Sequence, residues 1–371
     1  MRPLKRFNRV IGLLLVSLLL LAAAAGCTLG QGTRPGPARP KSSTTKPAPA
    51  GQPAPKAKRP APAKKRLTVL AFYAKDYKWS TSGLPSLQKH IGVMDIIAPF
   101  WYSVETDGSV TGKGEPEVTK TVKNAGKKLV VMINNANTND AMLKDPAVAQ
   151  KAVANIASVL ANNPYDGVNI DFQLVPPTDR QGYTDFIKSL SETIRPKGKS
   201  LGVSVFPPVG LPNDINGVYD YGAVAQYVDY VAIMTYDRHQ RSSPPGPVAP
   251  ITWVEQNIQG ALKMIPKDKL FIGIATYGYD WPANKGAEVK DLGTKEIMAL
   301  VDKYKAKIQW DSTEQEPFFS YTDDTGMSHT VWFESAQAAS QRITLADKYG
   351  IGGVAVWRLG FEDPKLWDFI K

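Results

Sequence analysis

One short stretch, residues 167–173, has the residue types and the spacing of a chemical site. Apolar and polar side chains alternate from residue 168 to residue 172, which predicts a β-strand. Because alternate residues of a strand share a face, Asn169, Asp171 and Gln173 are expected to point the same way. Buried polar groups are costly unless they are satisfied by a partner. The column could therefore hold a ligand by hydrogen bonds, but it ends in an amide, which cannot deliver a proton near neutral pH.

A barrel of alternating strands and helices is predicted to position this column. Eight apolar, strand-like runs are separated mostly by helical patterns, such as residues 146–161, 183–194, 253–264 and 335–349. This alternation predicts an α/β fold of the (β/α)8 TIM-barrel type. A doubly wound open sheet is the competing architecture, but no Gly-rich phosphate loop follows any predicted strand. The predicted strands are residues 67–73, 93–102, 128–134, 167–173, 201–207, 228–236, 270–277 and 352–357.

The segment between the seventh and eighth predicted strands is too long for one helix. It contains a helical pattern at residues 294–305, followed by short strand-like runs and a hairpin turn around Thr325-Gly326. We therefore expect a small α+β insertion at about residues 282–333, on the face of the barrel where the strands end.

Charge and residue types exclude several classes of protein. The net charge of +11 comes from residues 1–66, which contain 14 Lys and Arg and no acidic residue, so we expect no nucleic-acid partner for the folded part. The chain has three histidines (His90, His239 and His329) and a single cysteine, which argues against a His-based triad or a metal cluster. No Ser nucleophile elbow is present. The sequence therefore predicts neither a metal nor a cofactor.

Residues 1–27 indicate the compartment. Positive charges, an apolar run at residues 10–21 and small residues before Cys27 predict a secretory signal. A transmembrane anchor is the competing interpretation, but the apolar run is short for spanning a bilayer. Ala25-Gly26-Cys27 is similar to a bacterial lipoprotein processing box, which implies lipidation of Cys27 and an extracytoplasmic, membrane-anchored protein. Ordinary cleavage nearby, which would leave a free thiol, is the alternative.

Residues 28–66 have the composition of a disordered linker. Nine prolines fall between Pro35 and Pro62, and the segment has no aromatic residue to bury. The linker could act as a spacer, or its ten basic residues could hold anionic wall polymer or lipid headgroups, and the two roles are compatible. The barrel domain is expected to follow at residues 67–371.

Several motifs in register along the chain resemble those of the family 18 glycoside hydrolases. Asp166-Gly167 and the column that follows resemble the family's strand-4 signature. Asn169, Pro176-Pro177 and the run from residue 277 to 281 are similar to the branch related to spore-germination and cortex-lytic enzymes, which act on peptidoglycan. Further motifs that resemble the family's are Met234-Thr235-Tyr236-Asp237, Tyr277-Gly278-Tyr279-Asp280-Trp281, Val331-Trp332-Phe333-Glu334 and Gly353-Val354-Ala355-Val356-Trp357.

The resemblance implies that the chain binds a β-linked polymer containing N-acetylglucosamine, such as peptidoglycan or chitin. In this family the substrate's own acetamido oxygen attacks the anomeric carbon, so no carboxylate nucleophile is needed. The resemblance implies that Asp171 holds the acetamido N–H, that Tyr236 donates to the acetamido oxygen, and that Asp166 lies deeper and biases the charge on Asp171. Trp357 is expected to form the apolar floor beneath the sugar. The other residues expected to bind substrate are Asn169, Met234, Asp237 and the strand-end aromatics Tyr73, Trp101 and Tyr277.

The family's catalytic acid falls on position 173, which is Gln173 in this chain. General acid catalysis contributes typically ~10²–10⁴-fold, so the amide predicts lost or strongly reduced hydrolysis with sugar binding retained. An engineered replacement of a glutamate would also account for it. One alternative is a slow retaining glycosidase that takes its proton from another carboxylate. A second is a wall-associated scaffold. The carboxylates considered for the rescue are Asp179, Asp237, Asp280 and Glu334. A monomer is expected.

Overall fold

The computed structural model describes residues 66–74, 83–284 and 286–370. The predicted signal sequence, the processing box with Cys27 and all of the predicted linker except Arg66 lie outside the described residues. Within these ranges, no helix is both long enough and apolar enough to cross a membrane.

Strands and helices alternate along most of the described chain. The strands are β1 (Thr68–Tyr73), β2 (Ile96–Val104), β3 (Val110–Gly112), β4 (Lys128–Asn135), β5 (Gly167–Asp171), β6 (Ser200–Val205), β7 (Tyr230–Ile233), β8 (Leu270–Ala275), β9 (Tyr277–Pro282), β10 (Lys290–Gly293), β11 (Gln309–Asp311), β12 (Glu316–Thr322), β13 (Ser328–Phe333) and β14 (Gly353–Trp357). The helices are α1 (Leu84–His90), α2 (Pro116–Asn124), α3 (Ala141–Lys144), α4 (Pro146–Ala161), α5 (Arg180–Ile194), α6 (Asn213–Asn216), α7 (Tyr221–Tyr227), α8 (Ile251–Ala261), α9 (Thr294–Tyr304) and α10 (Ala336–Tyr349). Short 3₁₀ segments are Ile91–Val93, Ala136–Thr138, Pro177–Asp179, Arg195–Lys197 and Pro364–Phe369.

Eight parallel strands form a closed barrel. Their order is β1-β14-β8-β7-β6-β5-β4-β2, and the barrel closes because β1 pairs with β2 as well as with β14. The short strand β3 adds an antiparallel pairing to β2. The prediction of a (β/α)8 barrel is confirmed, and all eight predicted strands are present.

Alternation along the strands sorts side chains between the barrel interior and the layer beneath the helices. On β1, Leu70 and Phe72 belong to the interior cluster, together with Met132 and Phe271 from other strands. The intervening residues of β1, including Tyr73, pack instead in the larger outer cluster with residues of the helices. Since successive residues of a strand point to opposite faces, the parity of a residue decides whether it can line a site inside the barrel.

A five-stranded antiparallel sheet stands between the seventh and eighth barrel strands. Its order is β10-β9-β13-β12-β11, and β12 and β13 form the predicted hairpin. Helix α9 covers one face, where Ile297 packs with Phe319, Val331 and Phe333. The sheet begins at Tyr277, earlier than the predicted start of the insertion near residue 282. Tyr277 therefore belongs to the insertion and not to the seventh barrel strand.

Buried charges join this insertion to the barrel. The Arg342 guanidinium on α10 lies 3.0 Å from a carboxylate oxygen of Glu316 on β12 and 3.5 Å from one of Glu334, which follows β13. Glu316 also accepts the backbone N–H groups of Val248 and Ala249, at 2.6 and 2.9 Å. All three charged side chains are almost wholly buried. Removing Arg342 or Glu316 from this group leaves an unpaired buried charge, which is strongly destabilising.

Candidate functional site

The polar column begins inside the barrel on β5. Asn169 is buried, and its side-chain amide donates to the hydroxyl oxygen of Ser204 on β6 at 2.8 Å. Asp171, also buried, is the last residue of β5. The strand ends there, and not at residue 173, because the N–H of Gln173 bonds to the Asn135 side chain at 2.9 Å. The column nevertheless continues, since the Gln173 side chain turns back towards Asp171.

Gln173 is fixed by contacts with both its backbone and its side chain. The Asn135 amide nitrogen donates to the Gln173 carbonyl at 3.0 Å, while the Asn135 oxygen accepts the Gln173 N–H. The Gln173 Nε2 group donates to both carboxylate oxygens of Asp171, at 2.8 and 2.9 Å, and lies 3.7 Å from the sulfur of Met234. The amide is therefore held beside a carboxylate at the position where the family resemblance places an acid.

Burial controls the electrostatics of this pair. Desolvation raises the pKa of Asp171 to about 7, and the hydrogen bonds from Gln173 oppose this rise. Tyr236, from the stretch after β7, lies close enough to interact with Asp171. Burial raises the pKa of the Tyr236 hydroxyl well above its usual value, and the negative charges of Asp237 and Asp171 raise it further. Tyr236 is therefore a neutral hydrogen-bond donor across the physiological pH range.

A second carboxylate is held by two hydroxyls from the insertion. Tyr277 and Tyr279 donate to the same oxygen of Asp237, at 2.6 and 2.8 Å. Burial raises the pKa of Asp237, and these two hydrogen bonds oppose the shift. The Tyr277 ring meets that of Tyr236 edge to face, with centroids 6.2 Å apart. The insertion thus fixes one side of the site through its first strand.

Trp357 completes the apolar part of the site. It is the last residue of β14, it is half-buried, and it packs against both the barrel interior and the cluster that contains Tyr277. Phe72 supports its ring edge to face, with centroids 5.5 Å apart. An aromatic face at the open end of a barrel can stack on the apolar face of a sugar ring.

The position predicted for Asp166 is wrong. Asp166 precedes β5 and therefore lies at the opposite end of the strand from Asp171, roughly 16 Å away along an extended chain. It pairs with Lys123 at 2.7 Å and accepts the N–H of Leu129. Its carboxylate ties the start of β4 in place and cannot bias the charge of the site directly.

Two predicted aromatic contacts also face away from the site. Tyr73 and Trp101 are buried in the layer between the barrel and its helices. Both donate to the carboxylate of Glu115 before α2, at 3.3 and 3.2 Å. Their neighbours Phe72 and Phe100 pack with the interior cluster instead. Tyr73 and Trp101 are therefore at the predicted end of their strands, but their side chains are on the face opposite to the barrel interior.

The carboxylates considered as substitute acids lie in different surroundings. Asp179 approaches Lys144 at 3.7 Å, and Asp280 accepts from His329 and from Tyr321, each at 2.8 Å. Glu334 is buried beside Arg342, and Asp237 is engaged by the two tyrosines. The carboxylate that bonds to the Gln173 side chain is Asp171. Among the described residues, no group of His, Cys, Asp or Glu could hold a metal ion.

Sequence reasoning missed Asn135, Ser204 and Tyr279. Asn135 lies one residue beyond the predicted end of its strand, although an Asn-Asn pair at the end of a barrel strand was a usable signal. The others depend on which strands become neighbours, which only the folded barrel reveals. His239, one of the three histidines of the sequence, lies 3.2 Å from the Pro244 carbonyl and is held within its own loop.

Comparison with known proteins identifies the family. The model of glycosyl hydrolases family 18 matches residues 69–362, and the chain belongs to that family. It is 31% identical over 306 residues to the uncharacterized glycosylase YvbX of Bacillus subtilis, covering 78% of this chain and 88% of the relative. It is 30% identical over 287 residues to the cortical fragment-lytic enzyme of Bacillus anthracis, covering 73% of this chain and 66% of the enzyme. A chitinase structure from Chromobacterium violaceum superposes with a TM-score of 0.73 at 29% identity, covering 82% of this chain and 98% of the chitinase.

Proposed function

We propose that this family 18 protein is a lipid-anchored, extracytoplasmic binder of N-acetylglucosamine-containing glycan, with hydrolysis lost or strongly reduced. The observation that carries the proposal is the Gln173 carboxamide bonded to both oxygens of Asp171. Peptidoglycan is the favoured glycan, because the cortical fragment-lytic enzymes are among the relatives.

Binding is supported by the groups that surround the pair. An ionised Asp171 can accept the acetamido N–H of a bound sugar, and each carboxylate oxygen has a second lone pair besides the one used by Gln173. The neutral hydroxyl of Tyr236 can donate to the acetamido oxygen. Trp357 offers an aromatic face for the sugar ring. These contacts orient the ligand and require no proton transfer.

Hydrolysis needs one step that Gln173 does not provide. When the acetamido oxygen attacks the anomeric carbon, the glycosidic bond breaks and the leaving oxygen must receive a proton. Gln173 has no acidic proton to give. The same arrangement can hold the reacting group, but the leaving group would depart as an alkoxide, which is a poor leaving group near neutral pH.

Titration calorimetry tests the proposal with chitooligosaccharides and with muropeptides. We expect binding by the wild-type protein, loss of binding in Trp357→Ala, and retention in the matched control Trp310→Ala on strand β11 of the insertion. Absence of heat with both glycans, together with no retention on the polymers, would leave only the scaffold interpretation. Mass analysis of the mature N-terminus, compared with Cys27→Ser, tests the lipid anchor separately.

A slow glycosidase is the second candidate, and one observation favours it. Because burial raises the pKa of Asp171 to about 7, this carboxyl can carry a proton near neutral pH. Turnover that rises below pH 7 and disappears in Asp171→Asn would support this candidate. Glycan binding with no released reducing ends across the same pH range would rule it out.

A further inference from the structure

The end of the barrel where the strands begin carries an excess of exposed positive charge. This basic face is formed by the loops that lead into the barrel strands, opposite the end that carries Trp357 and Gln173. Its basic residues are Arg66, Lys123, Lys127, Lys128, Arg195, Lys197, Lys199, Lys263, Lys267 and Lys269, and its acidic residues are Asp95, Asp166, Asp229 and Asp268.

Three of the four acidic residues already form hydrogen bonds and ion pairs within the domain. Asp95, Asp166 and Asp229 each accept a backbone N–H at the start of a neighbouring strand, at 2.7 to 2.9 Å. Each also pairs with one basic residue, Arg66, Lys123 or Arg195 respectively. These aspartates therefore organise the strand starts, and their charge is already balanced. Of the acidic residues of this face, Asp268 alone is left to balance the remaining lysines.

The remaining lysines either bind backbone carbonyls or have no partner. Lys127, Lys199 and Lys269 donate to carbonyl oxygens at 3.0, 2.6 and 2.8 Å, so their positive charge is positioned but not neutralised. Within the described part of the chain, four further lysines are exposed and form no side-chain hydrogen bond or ion pair. These four are Lys128, Lys197, Lys263 and Lys267.

Favourable interaction with helix C-termini accounts for only part of this pattern. Lysines are stabilised in the last turn of a helix by its dipole. Lys263 and Lys267, however, lie beyond the end of α8, and Lys128 is the first residue of β4. Between Lys263 and Lys267 the loop exposes Met264, with 40% of its surface accessible. An exposed apolar side chain flanked by unpaired lysines is a combination that favours a lipid interface.

We infer that this basic face rests on an anionic phospholipid bilayer and directs the glycan site away from it. The inference rests on the proposed extracytoplasmic anchoring of the chain. Arg66, the first described residue, lies on this face, so the polypeptide enters the domain there. Each lysine near an anionic membrane is attracted to it, so four unpaired ones on one face favour one orientation of a domain that is already tethered.

Lysine labelling of the full-length mature protein on vesicles tests the orientation. On phosphatidylglycerol-containing vesicles we expect the four unpaired lysines to be acylated at least several-fold more slowly than on phosphatidylcholine vesicles. Lys113 and Lys290, which are exposed elsewhere, should react equally on both. Equal labelling of the basic face on the two vesicle types would overturn the inference. Protection by soluble polyglycerol phosphate on neutral vesicles alone would assign the face to a wall polymer instead, which also overturns it.

A pair of charge-matched variants separates the face from total charge. Replacing the four unpaired lysines by Gln should abolish protection of residues 195–200 and 262–269 from hydrogen exchange on anionic vesicles. Replacing Lys113, Lys120, Lys290 and Lys307 by Gln should leave it intact. Protection that persists in the first variant contradicts the inference. Lipidation of Cys27 is measured independently by mass, so a missing lipid would refute the anchor without deciding the role of the face.

Discussion

The Gln173 amide donates to both oxygens of the Asp171 carboxylate, at 2.8 and 2.9 Å. A glutamate in this place would put two carboxyl groups within hydrogen-bond distance, and one of them would have to carry a proton. The amide has no proton to share in this way. The site therefore holds a fixed hydrogen-bond donor where a hydrolase would hold a mobile proton.

Restoring a carboxyl group should restore hydrolysis. We expect Gln173→Glu to release reducing ends from chitooligosaccharides or peptidoglycan ~10²–10⁴-fold faster than the wild type, which is the usual size of general acid catalysis. Gln309→Glu, on the exposed strand β11, is the matched control and should change nothing. Equal turnover by the wild type and Gln173→Glu would contradict the role assigned to position 173.

Asp171 should make the stability of the protein depend on pH. Its pKa is about 7 in the folded state and ~3.9 in the unfolded state, so the folded state binds more protons between these values. The free energy of unfolding therefore falls as pH rises through this window, by an amount on the order of 4 kcal/mol. In Asp171→Asn we expect this contribution to be lost and the variant to be the more stable protein at pH 8. The slope of urea unfolding against pH should become shallower without vanishing, because burial also raises the pKa of Asp237, Glu316 and Glu334.

The control for that experiment is Asp302→Asn, an exposed substitution on α9 that should leave the slope unchanged. Identical slopes in the wild type and Asp171→Asn would show that Asp171 is not the group responsible.

Asn135 should act as a positioning residue for the site. Its amide nitrogen donates to the carbonyls of Gln173 and Asn139, and its oxygen accepts the Gln173 N–H. Asn135→Ala removes these bonds and should lower stability by roughly 1–3 kcal/mol and weaken glycan binding. Asn162→Ala, at the exposed end of α4, should do neither. Calorimetry at a temperature where both variants are folded separates the loss of binding from the loss of stability.

The two buried glutamates beside Arg342 should respond differently to the same change. Glu316 accepts hydrogen bonds from two backbone N–H groups and from Arg342, whereas neither oxygen of Glu334 has a hydrogen-bond partner. Burial raises the pKa of both carboxyls, and Arg342 opposes the shift.

We therefore expect Glu316→Gln to cost about 3 kcal/mol or more, as the loss of a buried charge pair does. Glu334→Gln should cost less than about 1 kcal/mol, because it removes a carboxyl that burial already favours in its neutral form. Urea unfolding at pH 7 measures both, and equal losses would contradict the assignment.

The barrel could be predicted from sequence because its signal is repeated. Apolar runs recur eight times, and each requires the same parallel environment, so an error of a few residues at one strand does not alter the architecture. The polar column of β5 was also predictable, because Asn169 and Asp171 are separated by one apolar residue in a strand buried on both sides. Both the barrel and the polar column could be predicted because each depends on the local periodicity of apolar residues.

The predictions for individual site residues failed where the face of a strand, the length of a strand or the identity of its neighbours decides where a side chain lies. Tyr73 differs from Phe72 by one position, yet it faces the helices and not the interior. Asp166 belongs to the same motif as Asp171, but the length of the strand places it at the other end of the barrel. Tyr277 continues directly from a barrel strand in sequence, and only the pairing of β9 with β10 and β13 shows that it has entered a different sheet.

Closure of the barrel joins the first barrel strand to the last one. Thr68 pairs with Gly353, so β1 has no partner on that side until nearly the whole chain has been made. A chain cut short before β14 would leave the edges of both β1 and β8 open, and unpaired strand edges promote aggregation. Closure of the barrel therefore has to wait until β14 has been made.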